Sequence, residues 1–375
     1  MIFCYAPWSN LEILPQGEIL PCCKFQSSHY NQTFNIKQHT IDQYRQSQLL
    51  DTVKQEFTQG IWPAGCERCR IEEHNNIESK RQLDYTRWQQ HYRNYDLESN
   101  TLLTVSMALG NTCNLKCIIC NPFASSKWAK EYQDIYNIKI ENIENVRKDL
   151  ITNLTSIAPN LIHIDMHGGE PLLSSIEQHQ ALLDHYIQTD LAKNITIHYT
   201  TNGTIFPDIT WIERWSHFAE IDLQLSIDGV DKRYEYLRYP ANWTEVNANV
   251  DRYLELQQCT PNIRLSIAHT VSAFNIFYLE EFVTWCQQKG LPRPWMGKLH
   301  KPMHLKPSVW PELARAAIVK KLQSSIIDDV LAWANLMQNT DDSNLFTQFQ
   351  QYVQQHDQYR NTNFSNTFPE LASYI

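Results

Sequence analysis

Three closely spaced cysteines are the residues of this chain best suited to redox chemistry. Cys113, Cys117 and Cys120 have C-x3-C-x2-C spacing in a loop that follows the apolar run 102–109. Three thiolates can ligate three irons of a [4Fe-4S] cube and leave the fourth iron open to a small molecule that chelates it through an amine and a carboxylate. A structural zinc ion requires four protein ligands, so the triplet suits zinc poorly. The spacing predicts an iron–sulfur cluster with one open corner.

Four further thiols form a second candidate metal site near the start of the chain. Cys4 and Cys22 flank two short strand-like runs joined by a turn, and Cys66 and Cys69 form a C-x2-C pair that opens a polar helix. Four thiols suffice for one fully ligated cluster, and a zinc ion or unrelated buried cysteines are the alternatives. Cys23, beside Cys22, is an ambiguity. Cys22 is preferred because it satisfies a Gly-x4-Cys spacing.

The elements that must position these thiols alternate along the chain. Strand-like apolar runs cover 102–109, 161–166, 195–201, 221–227, 263–270 and, more weakly, 291–299. Helical patterns cover 125–132, 145–156, 176–188, 210–218, 243–256 and 276–288. This alternation predicts an α/β fold with a parallel sheet and helices outside it. Six such units fit a partial (β/α)6 barrel of the TIM type that is open on one side.

Polar motifs follow the strand-like runs. They are Gly168-Gly169-Glu170 after the second run, Asn202 after the third, and Ser226 with Asp228 after the fourth. The carboxyl ends of parallel strands are where such sheets carry their chemistry. Two glycines permit a close backbone approach, and the carboxylate beside them can bind an ammonium group. A helix cap or a plain turn is the alternative for each motif.

In combination, these patterns resemble the radical S-adenosylmethionine (SAM) enzymes. The cysteine triplet is similar to the signature of that family, and the Gly-Gly-Glu sequence is similar to its motif that holds the amino group of SAM. The resemblance implies that Asn202, Ser226 and Asp228 hydrogen-bond the ribose or carboxylate of SAM.

Three further contacts are implied by the same resemblance. Ile119 would lie against the adenine, with ordinary loop packing as the alternative. Arg238 would pair with the carboxylate of SAM, with an exposed structural arginine as the alternative. Val271 or Asn275 would lie near the adenosine.

The N-terminal thiols are similar to the first half of the SPASM auxiliary-cluster domain. Asn75 and Ser79 occupy the places where the full pattern has further cysteines. The segment therefore looks like a twitch domain, which implies one auxiliary [4Fe-4S] cluster. Such segments usually follow the radical SAM domain, whereas this one precedes it.

The implied organisation has three parts. Residues 1–98 form a twitch-like α+β domain, residues 99–305 form the partial barrel, and residues 306–375 form a helical extension. Within the first part, the apolar spacing over 41–57 predicts helix. Within the extension, 311–337 predicts one or two helices. The Gln- and Asn-rich segment 338–366 with scattered aromatic residues is either a helix ordered on the domain, which we favour, or a flexible tail.

The resemblance implies an oxidoreductase or modifying enzyme that cleaves SAM to a 5′-deoxyadenosyl radical and abstracts a hydrogen atom from its substrate. The expected substrate is a peptide or protein side chain that is oxidised or cross-linked, with the auxiliary cluster as electron relay. A dehydrogenase or cyclase of a sugar- or nucleotide-like metabolite is the alternative. A non-catalytic iron–sulfur or zinc interaction module is the alternative from another class. An electron donor such as flavodoxin or ferredoxin is implied.

Composition excludes some function classes. A formal net charge of -9 argues against nucleic-acid binding, because a phosphate backbone requires clustered Lys and Arg. No apolar run approaches the length of a membrane span, and the start of the chain has no signal-peptide pattern, so a cytoplasmic protein is expected. Ten cysteines in such a chain then favour metal ligands or reduced thiols over disulfides.

Overall fold

The structure, a computed structural model, describes residues 2–74, 78–140, 154 and 158–375. The predicted helix over 145–156 lies outside these described residues apart from Leu154, and so does Asn75. No helix within the described ranges is long and apolar enough to cross a lipid bilayer.

The chain divides into two compact units. The first unit consists of Met1–Thr112, Asn142–Tyr199 and Ile209–Ile221, and the second of Cys113–Glu141, Thr200–Asp208 and Asp222–Ile375. The three parts expected from the sequence, with boundaries after residues 98 and 305, remain a prediction.

Among the residues that the structure describes, five strands form the sheet of the first unit. They are β1 (Asn10–Ile13), β2 (Ile19–Leu20), β3 (Thr104–Ala108), β4 (His163–His167) and β5 (Thr196–Thr201). Their order is β2-β1-β3-β4-β5. β2 is antiparallel to β1, whereas β1, β3, β4 and β5 run parallel. The predicted N-terminal hairpin and the α/β class with a parallel sheet are confirmed.

The strands of this sheet have one apolar and one polar face. On β4, Ile164 and Met166 are fully buried, while Asp165 between them and His167 after them remain partly exposed. Successive side chains of a strand point to opposite faces, so the apolar set packs together on one side. Burying one such side chain stabilises the fold by about 1.5–3 kcal/mol. The polar face is therefore the one that can offer groups to a ligand.

The helices of the first unit are Ala6–Ser9, Ile41–Arg45, Gln48–Thr58, Glu67–His74, Lys80–Tyr92, Ile176–Gln188 and Ile209–Trp215. The helical pattern predicted over 41–57 is confirmed with one break, because the chain forms two helices there. Oγ of Ser47 accepts the backbone N–H of Leu50 and starts the second of them. A serine oxygen is favoured at this position because it satisfies a helical N–H that would otherwise lack a partner.

Three of the described strands belong mainly to the second unit. They are β6 (Glu220–Ser226), β7 (Ile263–Val271) and β8 (Trp295–Lys298), in the order β6-β7-β8, with β8 parallel to β7. The helices of this unit are Ser126–Tyr136, Asp231–Leu237, Trp243–Cys259, Leu279–Gln288, Glu312–Gln323, Asp328–Asn339, Phe346–Arg360 and Phe364–Thr367. All six strand-like runs of the sequence are strands, β3 to β8.

The C-terminal helix, Phe346–Arg360, is ordered on the second unit. Phe349, Tyr352, Val353 and His356 are buried along one of its faces. The helix predicted for this polar segment is confirmed, and the alternative of a flexible tail is wrong.

Candidate functional site

The three loop cysteines belong to the second unit, and each is partly buried. Nδ2 of Asn202 lies 3.9 Å from Sγ of Cys113, and Nη1 of Arg238 lies 4.0 Å from Sγ of Cys117. The backbone N–H of Leu115 points at Sγ of Cys113 over 3.4 Å. Donors and positive charge near sulfur favour its thiolate form and tune a bound cluster. Asn202 and Arg238, both expected at the site, thus lie beside the cysteine loop.

The three thiols fit an iron–sulfur cluster. Burial, together with the neighbouring sulfurs of Cys117 and Cys113, raises the pKa of Cys120 to about 12, so the three sulfurs lie close enough to influence one another. Binding to iron removes the proton of each thiol and offsets this cost. Within the described ranges, no three Cys, His, Asp or Glu side chains converge on a position for a single metal ion. A cubane places its cysteines on separate irons, and three thiolates leave the fourth iron open.

Arg238 forms a buried ion pair. Its Nη2 lies 2.7 Å from Oδ2 of Asp228, which is fully buried, and Arg238 itself is 8% exposed. The other carboxylate oxygen, Oδ1, accepts the backbone N–H of Thr270 at 2.8 Å. Although burial lowers it, Asp228 and the sulfur of Cys117 raise the pKa of Arg238 above its usual value. The alternative of an exposed structural arginine is wrong, and the side chain remains cationic beside Cys117.

Two other predicted contacts keep part of their surface. Ile119 and Ser226 are partly exposed, the first in the cysteine loop and the second at the end of β6. By contrast, the buried Ile118 next to Ile119 is only 1% exposed. Ile119 therefore has surface for a ligand that its neighbour in the loop lacks.

The amide of Asn275 fastens the ends of two strands. Its Nδ2 donates to the carbonyl oxygens of Asp228 and Thr270 at 3.0 and 2.9 Å, and its Oδ1 accepts the backbone N–H of Ser272 at 2.7 Å. Val271 is fully buried. Both residues contribute to the packing behind the strand ends.

The Gly-Gly-Glu turn follows β4 in the first unit. Gly168 and Gly169 have φ angles of 76° and 56°, in the left-handed region that favours glycine. A Cβ on Gly169 would lie 2.4 Å from the carbonyl oxygen of Thr112. The same oxygen accepts the backbone N–H of Glu170 at 2.9 Å. The turn thus holds the main chain that leads into the cysteine loop.

A carboxylate that the sequence did not suggest lies on the polar face of the same sheet. Oε1 of Glu12, on β1, lies 3.0 Å from Nε2 of His167, on β4. Although burial lowers it, the hydrogen bond and charge of Glu12 raise the pKa of His167 above its usual value. The signal that could have found Glu12 is the alternation of β1, where it is the polar residue between two apolar ones.

The N-terminal thiols pack around one apolar cluster of the first unit. Cys4, Cys22 and Cys66 contact buried side chains, namely Trp8, Leu20, Phe25, Leu49, Val53 and Phe57. Cys69 is buried one helical turn after Cys66. Burial raises the pKa of Cys66, and the nearby sulfurs of Cys4 and Cys69 raise it further. The sulfur of Cys4 thus interacts with those of Cys66 and Cys69, and the sulfur of Cys22 interacts with those of Cys4 and Cys66.

Local packing distinguishes Cys22 from Cys23. Cys22 packs against the apolar cluster together with Cys4 and Cys66, whereas Cys23 is exposed. The C-x2-C turn packs closely, because a Cβ on Gly65 would lie 2.4 Å from the ring of Phe25. The structure thus places Cys22, and not its neighbour, beside the other thiols.

Arg81 fastens the start of the chain next to Cys4. Its Nη1 donates to the carbonyl oxygen of Phe3 at 2.8 Å, and its Nε and Nη2 bind the carboxylate of Glu73 at 2.9 and 2.6 Å. Ser79, at a position where longer domains of this type were expected to carry cysteine, donates to the same carboxylate at 2.6 Å.

Comparison with known proteins gives one domain family and one curated relative. The SPASM family, described as an iron–sulfur cluster-binding domain, matches residues 4–70, the segment with the four N-terminal thiols. The sporulation killing factor maturation protein SkfB of Bacillus subtilis (strain 168) is 26% identical over 194 residues. That alignment covers 52% of this chain and 42% of SkfB, so the chain spans less than half the length of this relative.

Solved structures resemble the backbone in part. The structure titled Streptococcus suis SuiB bound to S-adenosylmethionine aligns with a TM-score of 0.36 and 14% identity over 83% of this chain and 65% of SuiB. The structure titled native anSMEcpe with bound AdoMet and Cp18Cys peptide aligns with a TM-score of 0.42 and 16% identity over 59% of each chain.

Proposed function

We propose that this chain is a radical SAM enzyme with a SPASM-type iron–sulfur domain, and that it reductively cleaves SAM to modify a peptide or protein side chain. The observation that carries this proposal is the partly buried cysteine triplet with Asn202 and Arg238 directed at two of its sulfurs. A structural zinc ion takes four protein ligands, one more than the triplet offers.

The loop cysteines would hold the SAM-binding cluster, a [4Fe-4S] cube ligated by Cys113, Cys117 and Cys120. With cluster and SAM bound, reductive cleavage supplies a 5′-deoxyadenosyl radical that takes a hydrogen atom from the substrate. The chain's own residues orient these groups and exclude water. Arg238 keeps a positive charge beside Cys117, and Asp228 holds that guanidinium in place.

The predicted SAM contacts differ in whether their side chains still have exposed surface or polar atoms that a ligand could contact. Glu170 is the proposed partner of the amino group, after two glycines that allow a close backbone approach. Ile119 and Ser226, both partly exposed, are proposed to contact the adenine and the ribose. Both carboxylate oxygens of Asp228 already have partners, so we assign it a positioning role through Arg238.

The second proposed cluster is auxiliary and is ligated by Cys4, Cys22, Cys66 and Cys69. Four thiols leave no iron open to substrate, so its proposed role is to relay the second electron of an oxidation or cross-link. The packing of Cys22 with Cys4 and Cys66 supports Cys22 over the exposed Cys23.

A peptide substrate is supported by the relative. The name of SkfB describes the maturation of a sporulation killing factor, and 52% of this chain aligns with it. A sugar- or nucleotide-like metabolite is the second candidate. Incubating the enzyme with peptides encoded next to its gene, followed by mass spectrometry, separates the two, because an oxidised or cross-linked peptide loses hydrogen.

The proposed cleavage is tested with anaerobically reconstituted protein, SAM and dithionite. We expect 5′-deoxyadenosine from the wild type and none from Cys117→Ala, because that variant lacks a ligand of the SAM-binding cluster. Cys259→Ala is the matched control, since it removes an exposed thiol that has no place in either site. Product from Cys117→Ala at the wild-type rate would refute the assignment.

A further inference from the structure

The loop that carries the three cysteines is held through its main chain. The backbone N–H groups of Lys116 and Ile118 donate to the carbonyl oxygens of Tyr239 and Leu237, each at 2.8 Å. These bonds fix one edge of the loop. Its carbonyl oxygens point elsewhere and need donors of their own, because a buried carbonyl without a partner is costly.

Three successive carbonyls of the loop receive side-chain donors. Arg360 Nη2 donates to the carbonyl oxygen of Lys116 at 2.6 Å, and Tyr352 OH donates to that of Ile118 at 2.6 Å. Between them, Nε1 of Trp128 donates to the carbonyl oxygen of Cys117 at 2.7 Å. Two of the three donors belong to the C-terminal helix, Phe346–Arg360.

Glu131 fixes the direction of the Arg360 guanidinium. Its fully buried carboxylate accepts from Nε of Arg360 and Nδ1 of His356, both at 2.7 Å. Nζ of Lys116, a residue of the cysteine loop, lies 2.9 Å from the same carboxylate. One buried carboxylate therefore ties the loop and the C-terminal helix together. A guanidinium already held by one charge-assisted bond loses less freedom when a second N–H of its rigid fork forms another bond.

We propose that Tyr352 and Arg360 are positioning residues that hold the cysteine loop in its ligating shape before the cluster is assembled. The inference rests on the proposed function for what the loop ligates. It follows from three observations. The donors contact carbonyls that lie between the cysteines. They are nearly fully buried, 5% exposed for Tyr352 and 6% for Arg360. The opposite edge of the loop is fixed by backbone.

The helix offers a matched control for Tyr352. Tyr359 lies on the same helix, is 39% exposed, and donates its hydroxyl to Oδ2 of Asp134 at 2.7 Å. Tyr352→Phe and Tyr359→Phe each delete one hydroxyl and keep the ring. Tyr352→Phe leaves the carbonyl of Ile118 without its donor, whereas Tyr359→Phe leaves the loop untouched.

The first measurement is hydrogen exchange in the full chain without iron, which reports on loop shape independently of activity. We expect the amides of Lys116 and Ile118 to exchange roughly tenfold faster in Tyr352→Phe, the effect of losing one buried hydrogen bond. Exchange in β7 serves as the folding control and stays at the wild-type rate. Tyr359→Phe is expected to match the wild type throughout.

Arg360→Lys is the second variant, in case Tyr352→Phe folds poorly. Lysine keeps the positive charge near Glu131 but cannot bond both that carboxylate and the carbonyl of Lys116 with a rigid fork. We expect faster loop exchange here as well. In the reconstituted protein, both loop variants should change the electron paramagnetic resonance spectrum of the reduced SAM-binding cluster, and Tyr359→Phe should not.

Wild-type loop exchange and wild-type spectra in both Tyr352→Phe and Arg360→Lys would overturn the proposal, because the helix would then merely pack nearby. Failure of the proposed function is distinguishable. In that case the wild type would form no 5′-deoxyadenosine, yet the exchange difference between Tyr352→Phe and Tyr359→Phe would persist.

Discussion

Arg238 shows how a single side chain links charge and packing at the residue scale. Its guanidinium lies 2.7 Å from the carboxylate of Asp228 and 4.0 Å from the sulfur of Cys117, and it is almost fully buried. A buried cation is costly unless it is paired, and here the pair is internal to the chain. Removing either partner leaves an uncompensated charge in the interior.

Arg238→Gln is therefore expected to lower the free energy of unfolding by about 3 kcal/mol, as for one broken half of a buried ion pair. Urea denaturation of the metal-free chain measures this. Arg293→Gln is the control, because Arg293 pairs with Asp329 on the surface and is 79% exposed. Equal stability of Arg238→Gln and the wild type would contradict the burial argument.

At the same scale, Gly169 lies where the backbone leaves no room for a side chain. Gly169→Ala should destabilise the protein by more than the roughly 1–2 kcal/mol of left-handed strain, because its Cβ would also meet the Thr112 carbonyl oxygen at 2.4 Å. Gly60→Ala isolates the strain, since Gly60 has φ 72° and no atom within 4 Å of a Cβ. Thermal unfolding of both variants tests the difference, and equal losses would rule out the clash.

At the scale of elements, the strands of the first unit carry a polar face whose groups interact across the sheet. Glu12 of β1 reaches His167 of β4 past β3, where Ala108 is the in-register neighbour of His167. A small side chain on the intervening strand leaves room for this contact. The pairing makes the stability of the sheet depend on pH.

The pKa of His167 is raised above its ordinary value by Glu12. A raised folded pKa gives stability that is fully present below the unfolded pKa of about 6.5 and is lost as pH rises through the folded pKa. Glu12→Gln should therefore lower the free energy of unfolding most near pH 6 and least near pH 8.5. Urea titrations across this range test it, and an identical pH slope in wild type and Glu12→Gln would contradict the pairing.

Elements were predictable where the pattern of apolar residues was regular. Strands β3 to β8 could be predicted without tertiary information, because buried strands have continuous or alternating apolar residues in the sequence. The break at Ser47 was missed because the apolar spacing continues across it. The break is indicated instead by a serine that can cap the start of a new helix. The burial of Tyr352 and Arg360 could not be predicted, since their partners lie in a loop far away in sequence.

At the scale of the whole molecule, two sets of cysteines occupy separate units, the loop triplet in the second and the N-terminal thiols in the first. The spacing of both sets was readable from the sequence. That Cys22, and not Cys23, packs with Cys4 and Cys66 against the apolar cluster is visible only in the folded structure. The ion pair between Arg238 and Asp228 could likewise be found only in the folded structure, because the two residues belong to different sequence motifs.

Iron content tests this division. Wild-type protein reconstituted without oxygen should hold about eight irons, and Cys117→Ala and Cys66→Ala should each hold about four, because each variant loses one cubane. Cys66→Ala should still form 5′-deoxyadenosine but stop substrate turnover. Iron counting and sulfide analysis decide it, and about four irons in the wild type would remove the second cluster.

The hydroxyl of Tyr352 and the carbonyl of Ile118 are separated by 234 positions in the chain. At the roughly 5–20 residues per second of translation, the loop waits on the order of 10–50 s for this donor to leave the ribosome. Metal delivery during synthesis would meet a nascent segment that has not yet acquired its final contacts. On the proposed assignment, maturation of that centre is thus tied to synthesis of the chain through Tyr352, whereas the first seventy residues already contain every sulfur proposed for the other.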